Sequence, residues 1–519
     1  MTIGVRVKSS FSKKNILTMI YLLVLDLFIT MSSTLNPFSR EFPTTDSSVF
    51  IYIGQALKRG QIPYLQIFDH KGPLLYAIEW LGLTIGAGHV VGIWILEVVA
   101  MYLTLFCLYR TARLMTDSRL AALAAVSFSL QILVDAFEKG NLSEEWALPL
   151  LAFSLYVFAK YIVSETFQYT QVFLTGMCFA GILVIRANMV ATWVCWMPII
   201  LILLVIDRKT DLKKKISQIM FLVLSFILGI ACVLLPIAIW YRARGAFEAM
   251  INTYLGYNAT YMGGRQSSLS SIAAVIRTYS HTQVLTFLII SIYIIALVQW
   301  SYHNLRSRQI IAGWISLLYI GITVYFISVS GRTYTHYCMV LVPCLIIPLS
   351  LMLNRWRENF LHQENIAKVP SDRKKAYWIV LLLVLVLVIY QGYIKTQMIQ
   401  IMNTGEANEQ DEQLIAVMEQ YADAGDSVYV FGNNVRLYLA TQTVAVSRFV
   451  FPPDYIDVDD TVENSILQDK PKLIVRLNYY EDGSKVEKGD LEEFVDALVS
   501  EGQYSAVSDD YATVYVRQN

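Results

Sequence analysis

The chain has 519 residues, of which 55% are hydrophobic and only 16% charged, with a mean hydropathy of +0.48. Soluble proteins carry charge on about a quarter of their residues, so this balance excludes an ordinary soluble enzyme. The net charge of zero conceals an asymmetry: residues 401–519 hold 23 acidic and 8 basic side chains, and the remainder holds the compensating basic excess. Neither half offers a nucleic-acid partner. The six cysteines all lie in or beside apolar segments without a C-x-x-C pair, so they read as packing residues.

In chain order, residues 1–14 carry Arg6, Lys8, Lys13 and Lys14 and no acid, followed by an apolar run over 15–33. The run is long and has no small-x-small cleavage site, so it reads as a first spanning helix with a cytoplasmic N-terminus. Further apolar blocks fall at 89–109, 119–135, 145–163, 170–186, 188–206, 216–240, 282–301, 309–329, 336–354 and 376–394. Their lengths suit a hydrocarbon core about 30 Å thick. Alternating sides from an inside start puts five short Arg- and Lys-rich connections in the cytoplasm, as the positive-inside rule requires. About eleven crossings then place the acidic tail outside. This predicts a polytopic α-helical protein of the plasma membrane, N-terminus in and C-terminus out, in contact with membrane lipids.

Three outer stretches are long: 34–88, 241–281 and the tail. Function concentrates on such loops. In the first, Asp46 stands within Thr44-Thr45-Asp46-Ser47-Ser48. As structure this cluster begins a helix over 47–58; as chemistry Asp46 is the general base for an incoming hydroxyl or amine. Next comes Asp69-His70-Lys71-Gly72-Pro73, before an apolar, re-entrant-looking segment at 74–88. Lys71 is either an interfacial snorkelling lysine or a point charge for a lipid phosphate. The second outer loop, 135–145, includes Glu144 and Glu145, which suit a helix N-terminus or serve as secondary acids with Asp46. The third carries Arg242, Arg244 and Arg265 among tyrosines, and the fourth reads Gly331-Arg332-Thr333-Tyr334-Thr335-His336-Tyr337. Arginines outside run against the charge bias, and guanidinium groups suit phosphate. Asp26 and Glu97, inside apolar helices, are left out of the site.

In the tail, a helix is expected over 406–424 and strands at Val428–Gly432, Thr443–Val446 and Lys472–Leu477, with Gly432-Asn433-Asn434 as a strand-to-helix turn. A helix over 489–500 and a closing hairpin over Tyr504–Arg517 complete a small α/β layer. It reads as a cap packed on the outer loops or as an aid to acceptor binding.

The lone Asp after the first helix, then Gly60-x-x-Pro63-Tyr64, then Asp69-His70-Lys71-x-Pro73-Leu74, resembles the GT-C superfamily of membrane glycosyltransferases. More narrowly, the chain is similar to bacterial members related to protein mannosyltransferases and the lipid A aminoarabinose transferase. Asn141-Leu142-Ser143-Glu144-Glu145, Arg186-x-Asn188 and the Gly331–Tyr337 stretch add to the likeness, which spans about residues 15–395. The resemblance implies a GT-C-like catalytic module over 1–395, including the 34–88 loop with short helices, and an extracytoplasmic α/β domain over 401–519. It implies transfer of a sugar, with inversion, from a polyprenyl-phosphate-linked donor to a cell-envelope glycan, lipid or protein. Asp46 takes the family's acid position. Lys71 takes its K-P-P-L lysine, with Gly72 standing where the family has its first Pro. Around the donor phosphate the candidates are Lys71, His70, Arg332, His336, Arg242 and Arg265. On the acceptor side they are Asp69, Glu144, Glu145 and Tyr337. Some superfamily members pair acids with a divalent metal and others need none, which leaves the metal open. The competing readings are a lipid-glycan flippase, which favours repeated halves and broken helices, and a glycan polymerase or ligase built on an arginine-rich loop.

Overall fold

The computed structural model describes residues 13–206, 211–263, 268–304, 307–329, 331–362, 406–453, 457–478, 489–508 and 511–518. Each apolar block from 15–33 to 336–354 coincides with a helix: Lys13–Thr30, Val91–Met115, Arg119–Ala136, Ser143–Ser164, Tyr169–Leu183, Ala191–Ile206, Leu212–Ala243, Val284–Asn304, Arg308–Ser328, and a 3-10 run Thr335–Leu341 leading into Val342–His362. The expected span at 376–394 and the candidate Arg265 lie outside the described residues. Among the described residues, 8 helical segments are long and apolar enough to cross a bilayer, and three shorter apolar helices accompany them. The protein is a multi-pass membrane protein.

The helix Leu212–Ala243 shows why. Met220, Phe221, Leu224, Ile227, Leu228, Leu235 and Ile239 are all exposed, whereas only Leu222, Gly229 and Tyr241 are buried. A helix apolar all round that packs on one side alone needs hydrocarbon on the other. Among the described residues it packs mainly on Tyr169–Leu183. A Cβ added at Gly176 would lie 2.2 Å from the Phe226 carbonyl oxygen, and one at Gly229 2.0 Å from that of Phe173. Small residues at crossed positions let two membrane helices approach backbone to backbone.

Two of the long loops are folded rather than open. The first holds the helices Thr45–Lys58 and Pro73–Ile85, packed on each other. The segment expected to re-enter the bilayer is thus a 13-residue helix with Gly72 as its N-cap and Pro73 in its first turn. The third is built from Phe247–Ile251, a π-helical turn Asn252–Tyr257, Asn258–Gly263 and Ser268–Thr282.

The acidic tail forms an α/β unit. The strands are β1 Ser427–Val430, β2 Val444–Ala445, β3 Leu473–Leu477, β4 Tyr504–Ser508 and β5 Ala512–Arg517, in the order β2-β1-β3-β5-β4. β1 is parallel to β2 and β3, and β5 is antiparallel to β3 and β4. The expected helices appear as Glu406–Tyr421 and Asp490–Ser500, joined by two more, Arg436–Thr441 and Asp459–Asp469. The unit sits on the first loop: the Ala445 amide donates to Tyr52 Oη at 2.8 Å, and the Tyr52 and Tyr438 rings meet at 5.5 Å.

Candidate functional site

The segment Asp69–Gly72 is fixed from three directions. Asp69 is 3% exposed and accepts 2.7 Å bonds from Tyr76 Oη and from the His70 amide. Tyr64 Oη donates to the Lys71 carbonyl at 2.7 Å, and the Asn258 side-chain amide donates to the His70 carbonyl at 2.7 Å. On the third side the Gly72 amide donates to the Ile185 carbonyl and the Leu74 amide to that of Val184, both at 2.9 Å. This seam ties the Lys71 loop to the turn between Tyr169–Leu183 and Ala191–Ile206, and the next residue in that turn is Arg186. Gly72 is a requirement of the seam. A Cβ there would lie 2.2 Å from the Val184 oxygen, and a proline would also lack the donated N–H.

Lys71 Nζ lies 3.2 Å from His70 Nε2, and His70 Nδ1 lies 3.5 Å from Asp69 Oδ1. Burial, aided by the charges of Lys71 and Arg186, holds the His70 pKa well below its ordinary value. A neutral ring with its proton on Nδ1, towards Asp69, leaves Nε2 to accept from the lysine. That geometry makes His70 an orienting group for Lys71 rather than a second phosphate-binding cation. Burial works against the charged form of Lys71, but Asp46 and Asp69 outweigh it and its pKa is raised, so the lysine remains an ammonium at neutral pH. For Asp69 burial dominates and its pKa is raised, against the opposing pull of Lys71 and the Tyr76 bond.

Asp46 is half-buried in the first turn of Thr45–Lys58, where Thr44 makes no side-chain capping bond. Its charge acts on Lys71, Asp69 and Arg186, which makes these groups one electrostatic cluster, the chamber of the candidate site. Arg186 forms an ion pair with Glu144, which is 2% exposed, and its guanidinium lies 4.1 Å from the Tyr337 ring centroid. Burial opposes its charge, but Tyr337, Glu144 and Asp46 prevail, and its pKa is raised. His336 is held by Glu138, through a 2.8 Å side-chain contact and a 3.0 Å bond from its own amide.

The adjacent acids of the Ser143–Ser164 helix part company. Glu144 faces Arg186, whereas Glu145 points into a buried group with Glu97. The Asn141 amide is shared between Glu97 Oε1 at 2.7 Å and Glu145 Oε2 at 2.8 Å, and the Asn141 side chain reaches Ser47 Oγ at 2.9 Å. Glu145 therefore braces the base of the Asp46 helix instead of facing the chamber. Arg242 is exposed at the end of its helix, and Arg332 lies 6.0 Å from the Tyr334 ring centroid. No contact joins either to Lys71 among the described residues.

Arg186 and Asn141 are the residues that loop-by-loop reading undervalues. Their sequence signal is a lone arginine and an asparagine at helix ends, within the Arg186-x-Asn188 and Asn141-Leu142-Ser143-Glu144-Glu145 stretches. Next to the Glu144–Arg186 pair lies a slot lined by Glu144, Asn188 and Tyr337 together with the apolar Leu151, Phe326 and Val340. Among the described residues, no three His, Cys, Asp or Glu side chains are grouped to hold a metal ion.

The family model described as "Putative competence-induced protein Ccs4 N-terminal domain" matches residues 8–402. No curated protein matches the chain in sequence. Two solved structures resemble it over nearly its whole length: the crystal structure of ArnT from Cupriavidus metallidurans bound to undecaprenyl phosphate, and that of the same protein in the apo state. Each gives a TM-score of 0.58 at 12% identity, covering 97% of this chain and 98% of that one. This chain therefore shares the fold of that protein, a bundle of membrane helices with a C-terminal α/β unit.

Proposed function

This chain belongs to the family of the competence-induced protein Ccs4 N-terminal domain, and from its GT-C-like architecture and its chamber we propose that it transfers a sugar from a polyprenyl-phosphate-linked donor to a cell-envelope acceptor. The observation that supports it is the backbone seam from Gly72 and Leu74 to Ile185 and Val184, which sets the Lys71 loop beside the turn bearing Arg186, with the Asp46 charge acting on both cations and an apolar slot next to the Glu144–Arg186 pair. ArnT, crystallised with undecaprenyl phosphate, is of the same fold and supports a polyprenyl phosphate as the lipid partner.

In this reading the slot receives the proximal prenyl units, and Lys71 and Arg186 face the phosphate. The acceptor O–H or N–H attacks the anomeric carbon, Asp46 takes its proton, and the bond from that carbon to the phosphate oxygen breaks with inversion. The electron pair leaves with the polyprenyl phosphate, whose gain in negative charge the two cations offset. His70 and Asp69 aim Lys71, and Glu144 and Tyr337 hold Arg186. The chamber opens on the outer face, with the N-terminus inside and the α/β domain of about residues 401–519 outside, as the basic connections support.

The test uses proteoliposomes carrying the full chain and a polyprenyl-phosphate hexose. Consumption of the donor with release of polyprenyl phosphate is expected. Donor that crosses the bilayer with its sugar–phosphate bond intact would instead mark a flippase. Loss of one envelope glycan decoration in a deletion strain would identify the acceptor class.

A further inference from the structure

The strap from Tyr64 to Lys71 is gripped on its far side by the α/β unit. The Phe68 amide donates to the Arg448 carbonyl at 2.8 Å, and Arg448 Nη2 donates to the Tyr64 carbonyl at 3.0 Å. One residue of the tail thus bonds to both ends of a five-residue stretch, nearly 400 positions away in sequence. The Phe68 ring, 2% exposed, sits 5.2 Å from Phe449, 6.1 Å from Phe451 and 5.4 Å from Tyr257. Phe68 belongs to the apolar core of the α/β unit, with Tyr429, Phe431 and Val458, rather than to the core of the membrane helices. The next three residues are Asp69, His70 and Lys71. The Arg448 guanidinium lies 5.0 Å from the Phe449 ring centroid, so the ring that holds Phe68 also holds the arginine.

This arrangement has a mechanical consequence. Phe68 cannot shift without leaving the tail's core, and Lys71 follows it at a distance of three residues. Asn258 and Tyr257 of the third outer loop close the strap on another side, through the His70 carbonyl bond and a His70–Tyr257 ring contact at 5.4 Å. A part of the chain with no group in the chamber therefore sets where the chamber's lysine points.

We propose that Arg448, backed by Phe449, is a positioning residue of the donor site, through which the C-terminal α/β unit aims Lys71 at the lipid phosphate. The proposal rests on the reading of Lys71 as a phosphate-binding group and gives the α/β unit a role on the donor side. It differs from a passive cap in that its effect must pass through Lys71.

The experiment is a double-mutant cycle on full-length protein in nanodiscs, with undecaprenyl phosphate as the titrated probe. Arg448→Ala is expected to weaken binding about tenfold in the native background and less than twofold in a Lys71→Ala background. Arg448→Lys, which can still donate to the Tyr64 carbonyl, should recover most of the loss. If Arg448→Ala fails to fold, Phe449→Leu takes its place in the same cycle. Equal weakening in both backgrounds, or none in either while Lys71→Ala alone weakens binding, overturns the positioning role. Undiminished affinity in Lys71→Ala instead removes Lys71 from the donor site and the proposal with it.

Discussion

Gly72 combines a donated hydrogen bond with a backbone approach that leaves no room for a side chain. Gly72→Pro, which restores the pattern of the resembling family, should therefore harm this protein. It removes the bond to Ile185 and forces apart the turn that carries Arg186, and a fall in thermal midpoint with loss of donor binding is the expected result. A variant as stable and as tight-binding as the wild type would contradict the seam. Arg186 and Glu144 make a second residue-scale case. A buried pair that loses one partner leaves an uncompensated charge, at a cost of about 3–5 kcal/mol. Arg186→Gln should lower stability by that order, and adding Glu144→Gln should recover part of it; additive losses in a denaturation series would contradict the pairing. His70 adds a pH dependence. Its folded pKa is lowered by burial, then by Lys71 and Arg186, with Asp69 and Tyr257 the other groups facing it. The stability it contributes is present above the unfolded value of about 6.5 and is lost as the pH falls from there through the folded value. Thermal midpoints measured between about pH 7.5 and about pH 5.5 should fall less steeply in His70→Gln than in wild type; parallel curves would contradict a neutral His70.

At the scale of elements, the membrane helices were legible because hydrocarbon thickness imposes a length and composition that few other structures share. The strands of the tail were legible from short β-branched runs such as Leu473–Leu477. One tail helix was not, and a second was marked only by the Gly432-Asn433-Asn434 strand-to-helix turn before it. Asp459–Asp469 buries only Val462 and Ile466, too sparse a stripe to stand out from a loop, and Arg436–Thr441 is a short helix fixed by its contact with Tyr52. The apolar segment at 74–88 is a short helix, Pro73–Ile85, that buries Leu75, Tyr76 and Leu83 and leaves Trp80, Leu81 and Ile85 exposed. The helix pair Leu212–Ala243 and Tyr169–Leu183 carries its own prediction. Gly229→Leu should drive the two apart, lower the thermal midpoint in detergent and expose the Tyr169–Leu183 helix to protease, whereas an unchanged melting curve would mean that the close approach contributes little.

At the scale of the whole molecule, the candidate site was legible only in pieces. Asp46, Lys71 and Glu144 stood out in separate loops, but sequence spacing carries no measure of distance between loops, and nothing local indicated that Arg186 would join them. Nor could it show that Glu145, next to Glu144, turns into a buried group with Glu97. The charge asymmetry along the chain makes a topological prediction. In a cysteine-free background, Ser505→Cys on the exposed face of β4 should react with an impermeant maleimide on intact cells, and Lys214→Cys only after permeabilisation. The reverse pattern would turn the chamber to the cytoplasm and away from any envelope acceptor.

The claim that carries the rest is that Asp46 acts on the acceptor while cations hold the donor. Donor turnover and donor affinity measured side by side for Asp46→Asn in proteoliposomes test it most directly. Turnover is predicted to fall by about 100-fold or more while donor affinity stays within about twofold of wild type; turnover that survives the substitution in a folded protein would contradict the assignment of Asp46 as the base.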